Sequence, residues 1–366
     1  MSRSGFCRRT GKDLLRLGQA AAQIFRARVR RPPDPAPGTF VQLVDPEPDP
    51  TRPPLWTVAT PRTSRVLFVA STGGHLAELV QFAKTLDLHP DSLWVTFDSE
   101  QSRSLLLGCR SLFVPYVSPR GYTAVLRTLL IVTGRLRAQK FDLCISTGAA
   151  VALGVLPWAR LRGIPRVYIE SVARTDGPSV TGRVVRSLGL ATTFTQHAAW
   201  ADARWRRHRS VLSGHASVPR ARPSGRLKIF VSLGTIRPYR FDSVVDALLG
   251  LGVVDDDTVW QLGATMGRAL PGHVHEVVAA TQFAEFCRSA DVVVTHAGVG
   301  NIMTMLDMGL HPVVVPRRQH RGEHVDDHQM QICRLLREVG IGRVCDAGML
   351  TEEDLWAASE RRTVTP

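Results

Sequence analysis

The sequence predicts an α/β protein: two Rossmann-like domains in tandem, each a parallel sheet flanked by helices, behind an irregular N-terminal arm. Three observations predict it. Short apolar strands alternate with helix-length segments, the alternation restarts after a polar stretch near the middle, and each half carries a glycine turn between a strand and a helix. The first turn is Ser71-Thr72-Gly73-Gly74-His75, after the run Arg65–Ala70. The second is THAGVGN, Thr295 to Asn301, after Asp291-Val-Val-Val. In both, glycines let the backbone approach a ligand, and the following helix offers free N–H groups and a positive dipole end to an anion.

The elements follow in order. Residues 1–64 read as a basic, proline-rich arm and linker. Within it, residues 11–31 space leucines, Ile24 and Phe25 between arginines, either as a short amphipathic helix on anionic lipid or as a solvated tail. Residues 32–62 hold ten of the 23 prolines, which excludes helix or inner strand. Strands are predicted at 65–70, 92–97, 112–117, 141–146, 166–170 and 191–195, which makes 65–200 one domain on the acceptor side. Residues 201–226 are polar, arginine-rich and without period, and read as an interdomain linker. Strands at 227–232, 258–262, 291–295, 312–315 and 341–345 then build a donor-side domain over 227–366.

Composition narrows the class. At 366 residues, 44% hydrophobic and 21% charged, the chain is long enough for two domains with full cores. Six scattered cysteines without a C-x-x-C pair suggest a reduced, cytoplasmic setting, and no run approaches a membrane span. The net charge is +14, and residues 1–65, with 12 Lys/Arg against five Asp/Glu, supply +7 of it. That asymmetry implies an acidic partner for the arm; the protein is expected in the cytoplasm, peripheral on the inner face of the plasma membrane at an anionic membrane surface, with no nucleic-acid partner. Oligomeric state is left open.

The two turns are expected to face one another across a cleft, with a nucleotide-bound donor on one domain and an acceptor on the other. His75, in the first turn of its helix, is the candidate general base, because a neutral imidazole there can take a proton from an attacking hydroxyl. Glu78, three residues on, either orients His75 or favours the dipole. Glu170 ends a strand on the ligand edge, as a second catalytic acid or as a cap paired with Arg174. Gly73, Gly74, Thr147, Gly148, Ser171 and Arg174 complete the acceptor side. On the donor side, Gly234 and Thr235 form a backbone nest after the strand at 227–232, and Asp327, His328 and Gln329 offer partners to sugar hydroxyls. The His/Asp content of 323–329 lacks an H-E-x-x-H frame, so no metal is expected. Residues 122–137 combine leucines and arginines at helical spacing, as a core helix or one that dips into the leaflet.

The segments STGGHLAEL and ESVART resemble the acceptor half, and VSLGT, THAGVGNI and DDHQ the donor half, of a two-part glycosyltransferase family. It comprises bacterial exopolysaccharide transferases and the two-subunit enzyme that adds the second N-acetylglucosamine to dolichol-linked chitobiose. The peptidoglycan lipid II N-acetylglucosaminyltransferase is a more distant likeness. The resemblance covers roughly residues 65–350, with both halves fused in order. It implies a GT-B fold and an inverting, metal-independent transfer from a UDP-sugar to a lipid-linked saccharide acceptor, with no cofactor. It also implies roles for His75, Glu170, the phosphate turn His296, Gly298, Gly300 and Asn301, and the sugar-reading pair His328 and Gln329. One departure stands out: where relatives carry a ribose-binding glutamate, this chain has Thr304. Rival readings are a dinucleotide oxidoreductase with Asp98 on the ribose, although G-x-G-x-x-G is absent, a UDP-sugar epimerase of the same fold, and a non-catalytic membrane scaffold.

Overall fold

A computed structural model of the chain describes residues 64–118, 121–235, 237–327 and 329–365. The segments expected at 11–31 and 32–62 lie outside the described residues, and so does His328. The first domain runs β1 (Val66–Ala70), α1 (Gly74–Ala83), β2 (Leu93–Phe97), α2 (Glu100–Leu105), β3 (Ser111–Val114), α3 (Tyr122–Leu136), β4 (Leu143–Gly148), α4 (Val151–Leu161), β5 (Arg166–Ile169), α5 (Val180–Ser187), β6 (Thr192–Thr195) and β7 (Trp205–Arg207). The rest continues β8 (Ala216–Pro219), β9 (Ile229–Ser232), α6 (Asp242–Gly250), β10 (Val259–Gln261), β11 (His273–His275), α7 (Ala280–Ser289), β12 (Val292–His296), α8 (Val299–Asp307), β13 (Val313–Val315), α9 (Gln329–Val339), β14 (Arg343–Val344), α10 (Glu352–Ser359) and β15 (Arg361–Val364).

Two parallel sheets result, one of seven strands in the order β3-β2-β1-β4-β5-β6-β7 and one of six in the order β11-β10-β9-β12-β13-β14. This is the GT-B architecture. Their strands are short and apolar because helices cover both faces; β1 and β2 are buried along their whole length. The strand order reverses between β1 and β4 and again between β9 and β12, and at such switch points the loops at the carboxyl ends part to leave a crevice. Both glycine turns leave the sheet there, since one follows β1 and the other β12.

The linker expected over 201–226 is instead divided between the domains. Its first part forms β7, which pairs with β6 as the edge of the first sheet. Its second part forms β8, which pairs antiparallel with the C-terminal β15. These strands, and β11, have three or four residues each, too few for a readable alternation. A further apolar cluster crosses between the domains, packing Ala77, Val172 and Leu212 against Ile302, Leu306 and Ile332. The sequence had assigned apolar positions to each sheet separately, not to a shared seam.

Candidate active site at the two glycine turns

At the first turn Gly73 takes φ 84°, a left-handed conformation open to glycine, and this lets the chain enter α1 directly from β1. The Gly73 N–H donates to Gln101 Oε1 at 2.7 Å. His75 is clamped from the β4 loop: its Nδ1 lies 2.8 Å from the Thr147 carbonyl oxygen, and Thr147 Oγ1 donates to the His75 carbonyl at 2.6 Å. A carbonyl only accepts, so Nδ1 carries the proton in this bond, and in the neutral tautomer the lone pair lies on Nε2. Gly148, at φ 115°, leaves room for the ring; a Cβ there would lie 2.8 Å from the Tyr168 hydroxyl and 3.4 Å from His75 Cε1. His75, Thr147, Gly148, Gly73 and Gly74 thus come together.

The carboxylates do not join them. Glu78 is fully buried, and its oxygens accept from Ser171 Oγ at 2.6 Å, the Val172 N–H at 2.9 Å and Gln196 Nε2 at 2.8 Å. It ties α1 to the ends of β5 and β6, and neither orients His75 nor serves as an exposed dipole partner. Burial raises its pKa to about 7 against those three bonds. Glu170 is 1% exposed and accepts from the Ser179 N–H at 3.0 Å and Ser179 Oγ at 3.1 Å. It caps the start of α5, where a Cβ on Gly182 would reach to 2.2 Å of its Oε2. Burial raises its pKa, with Ser179 and the neighbouring Arg174 opposing. Glu170 is thus engaged by Ser179, and Ser171 by Glu78. Arg174 donates its backbone N–H to the Ser171 carbonyl, and its own carbonyl receives Trp200 Nε1.

In the second domain the His296 ring fills a slot between two glycines. A Cβ on Gly234 would lie 2.5 Å from its Cε1, and one on Gly298 would lie 2.2 Å from its Nε2, so both positions require glycine. Burial, and secondarily the charge of Arg317, push its pKa down to about 3, so the ring is neutral at physiological pH. Its Nδ1 is buried without a hydrogen-bond partner among the described residues. Asn301 Nδ2 donates to Ser232 Oγ at 3.1 Å, binding the α8 turn to the end of β9. No side chain caps α8, which leaves its first N–H groups to a ligand. Thr235 lies exposed at the rim.

Three donor-side residues serve other ends. Thr304 Oγ1 donates back to the Gly300 carbonyl at 2.9 Å within its own helix. Gln329 is 5% exposed, and its Oε1 accepts from the Arg317 N–H at 2.9 Å. Asp327 accepts from the Gln319 N–H at 2.9 Å. Gln329 and Asp327 order the β13–α9 loop, Gln329 from a buried position and Asp327 with 45% of its side chain exposed. Asp98, the rival ribose acid, forms a two-pronged exposed pair with Arg103 at 2.7 and 2.8 Å.

The two turns touch. A Cβ on Gly74 would lie 2.8 Å from Val299 Cβ, and one on Gly300 would lie 3.3 Å from the Gly73 carbonyl carbon and 3.2 Å from Gln101 Nε2. At their closest point there is contact and not the open cleft expected, because α1 and α8 are brought together by the seam between the domains. Asp307 of α8 is the polar centre of that seam, paired with Lys84 at 3.1 Å and His215 at 3.3 Å and bonded to Gln81. Arg334 pairs with Asp176 at 2.6 Å nearby. Sequence reasoning missed Gln101 and Arg317: the first sits in an unremarkable polar helix, and the second in a basic run that reads as surface.

Residues 265–359 match a family model described as the glycosyltransferase family 28 C-terminal domain. The second domain is of glycosyltransferase type. The match includes Gly298, Gly300, Asn301, Thr304, Asp327 and Gln329. Among solved structures, the spinosyn forosaminyltransferase SpnP is similar over 81% of this chain and 89% of its own, at 18% identity and a TM-score of 0.51. MurG of Acinetobacter baumannii is similar over 81% of this chain and 94% of its own, at 16% identity and a TM-score of 0.50. At these identities the likeness is one of fold. No curated protein matches the sequence. Fold and domain type together make the chain a glycosyltransferase of the GT-B kind.

Proposed function

We propose that the chain is an inverting, metal-independent transferase that moves a hexose-type sugar, such as N-acetylglucosamine, glucuronic acid, glucose or galactose, from a UDP-sugar to a polyprenyl-diphosphate-linked saccharide. The observation that carries this reading is the clamp on His75, which assigns the proton to Nδ1 beside the contact of the two glycine turns. Nε2 takes the proton of the acceptor hydroxyl while its oxygen attacks the anomeric carbon from the face opposite UDP. The carbon–oxygen bond to the diphosphate breaks, and the charge that develops on UDP meets the uncapped N-terminus of α8 and the Gly234 nest. Since one face of that turn rests on Gly73, the diphosphate takes the other, toward Ser232 and Gly234. Among the described residues no group of three or more His, Cys, Asp or Glu could hold a metal ion.

A lipid-linked acceptor and a peripheral membrane position, proposed on the cytoplasmic side, draw their support from the exposed face of α3. Its inner face packs on α4, where a Cβ on Gly154 would lie 2.7 Å from Thr128 Cγ2. Its outer face leaves Tyr122, Leu126 and Leu130 exposed at four-residue spacing, with Arg127 and Arg135 beside them. No described helix is long and apolar enough to cross a membrane. The test incubates the purified chain with UDP-sugars and polyprenyl-linked saccharides and follows products by mass spectrometry. A lipid-linked product one hexose heavier is expected, formed equally well in EDTA. Free sugar without acceptor would indicate an epimerase, and a chain that retains no UDP in calorimetry would be a scaffold.

A further inference from the structure

Two residues beyond the end of β13, Arg317 is fully buried. Its Nη1 donates to the carbonyls of Tyr239 at 3.1 Å, Arg240 at 3.2 Å and Glu323 at 3.1 Å, and its Nη2 to that of Leu233 at 2.8 Å. The guanidinium lies 4.7 Å over the Phe241 ring. All four hydrogen-bond acceptors are backbone carbonyls. The carboxylate of Glu323 turns instead to the Arg318 N–H at 3.0 Å. A buried cation without a bonded carboxylate is expensive to keep, and carbonyl dipoles offset only part of the lost hydration. Such a group is retained for what it organises.

The carbonyls belong to two loops. Leu233, Tyr239 and Arg240 lie in the connection after β9, and Glu323 in the one after β13. In the sheet these strands flank β12, whose turn carries His296 and Gly298. One guanidinium therefore bridges the loops on either side of that turn. The Tyr239 ring stacks on His324 at 5.8 Å as a second tie between the same loops. The loop after β9 also contains Gly234, which must stay against the His296 ring for the nest to keep its shape.

We propose that Arg317 is the positioning residue of the nucleoside-diphosphate seat, bracing the β9 and β13 loops across β12 so that the Gly234 nest is held before a ligand arrives. This rests on the reading that the β12 turn seats a nucleoside diphosphate. Lysine cannot substitute, because a single ammonium matches neither four carbonyls nor the flat contact with Phe241.

Full-length Arg317→Lys, compared with wild type and with Arg343→Lys as a control elsewhere in the same domain, is followed by amide hydrogen exchange and by calorimetry with UDP. Exchange in residues 233–241 and 318–327 should quicken by roughly tenfold or more while that of the first domain stays unchanged, and UDP affinity should fall by roughly tenfold. Unchanged exchange in both loops overturns the brace. Quickened exchange with undiminished UDP affinity overturns the positioning role and leaves a stabilising one. Failure of the wild-type chain to bind UDP overturns the donor reading instead, and the exchange arm still decides whether Arg317 holds the loops. If Arg317→Lys does not fold, Phe241→Leu, which removes only the ring beneath the guanidinium, should loosen the same two loops to a smaller degree; loops as tight as wild type in that variant would count against the proposal.

Discussion

A single hydrogen bond assigns His75 its tautomer. With Nδ1 donating to Thr147, replacement by alanine removes a base already oriented, so His75→Ala should lower turnover by roughly 10²- to 10⁴-fold with UDP affinity nearly unchanged. Steady-state rates alongside calorimetry check both halves of that statement. Gln329 is different. Its carbonyl is the partner of a buried backbone N–H, so Gln329→Ala should destabilise the chain by about 1–3 kcal/mol in denaturant titrations, and any change in sugar preference would follow from a loosened loop. Glu78 gives a pH signature. Its ordinary value of 4.5 is raised to about 7, so between those limits the unfolded chain is ionised while the folded one holds the proton. Its contribution to stability is whole below pH 4.5 and is lost as pH rises through 7, amounting to about 3 kcal/mol at most. Glu78→Gln should lack that slope. Relative to the variant, wild type should therefore lose stability from pH 4.5 to 7; a constant difference would contradict the assignment.

Helix α1 and helix α8 meet through the absence of a side chain. Gly74→Ala places a methyl 2.8 Å from Val299 Cβ, closer than carbon atoms pack, so the helices must separate or the turn must shift. A loss of about 1–3 kcal/mol is expected, and Val299→Ala in the same chain should recover part of it, a coupling that a double-mutant cycle measures. Helix α3 poses the opposite case, with its inner face packed and an exposed apolar stripe on its outer face. Leu126→Glu with Leu130→Glu alters only that outer stripe. Flotation with anionic vesicles should then show weaker binding while thermal stability is preserved; equal binding would remove α3 from the membrane reading and leave the arm as the remaining candidate.

Across the molecule, histidines whose pKa is lowered by burial shape the response to acid. Burial lowers His208 and His311 to about 4 and His296 to about 3, so below the ordinary value of 6.5 the unfolded chain takes up protons that the folded chain refuses. Stability from these groups is whole above pH 6.5 and falls as pH drops toward 4, by up to about 1.4 kcal/mol per pH unit for each, against which Glu78 and Glu170, both raised by burial, act in the other direction. The chain should be less stable at pH 5 than at pH 7. His208→Phe, in a site where the ring already packs edge-on to Phe82 and Phe194, should flatten the slope by one proton. The seam between the domains has its own consequence. Residues 64–214 and 215–366 expressed as separate chains should associate, since Ala77, Val172 and Leu212 bury against Ile302, Leu306 and Ile332; two independent monomers in sedimentation would contradict it.

By itself the sequence determined the alternation, the two sheets and the places where each breaks into a glycine turn, because strand periodicity and turn chemistry are local and survive without partners. It located β1 to β6, β9, β10 and β12 to β14 to within a few residues, and missed β7, β8, β11 and β15, whose segments WRR, ASVP, HVH and RRTV are not apolar runs and take strand form only by pairing at a sheet edge or with each other. The placement of His75, Gly148, Gly234, Gly298 and Asn301 at the strand-to-helix turns was legible for the same local reason. Only the tertiary structure decided what the longer polar side chains do. Glu78 meets Ser171 across 93 positions of sequence, and that partner, not the helix it sits on, makes it a buried brace. Glu170, Asp327 and Gln329 are likewise engaged by the backbone or side chains that packing brings to them. Arg317 shows the principle from the other side: within a basic run its spacing reads as solvent-exposed, and only the closing of two loops around β12 supplies the carbonyls that allow a charge to be buried there.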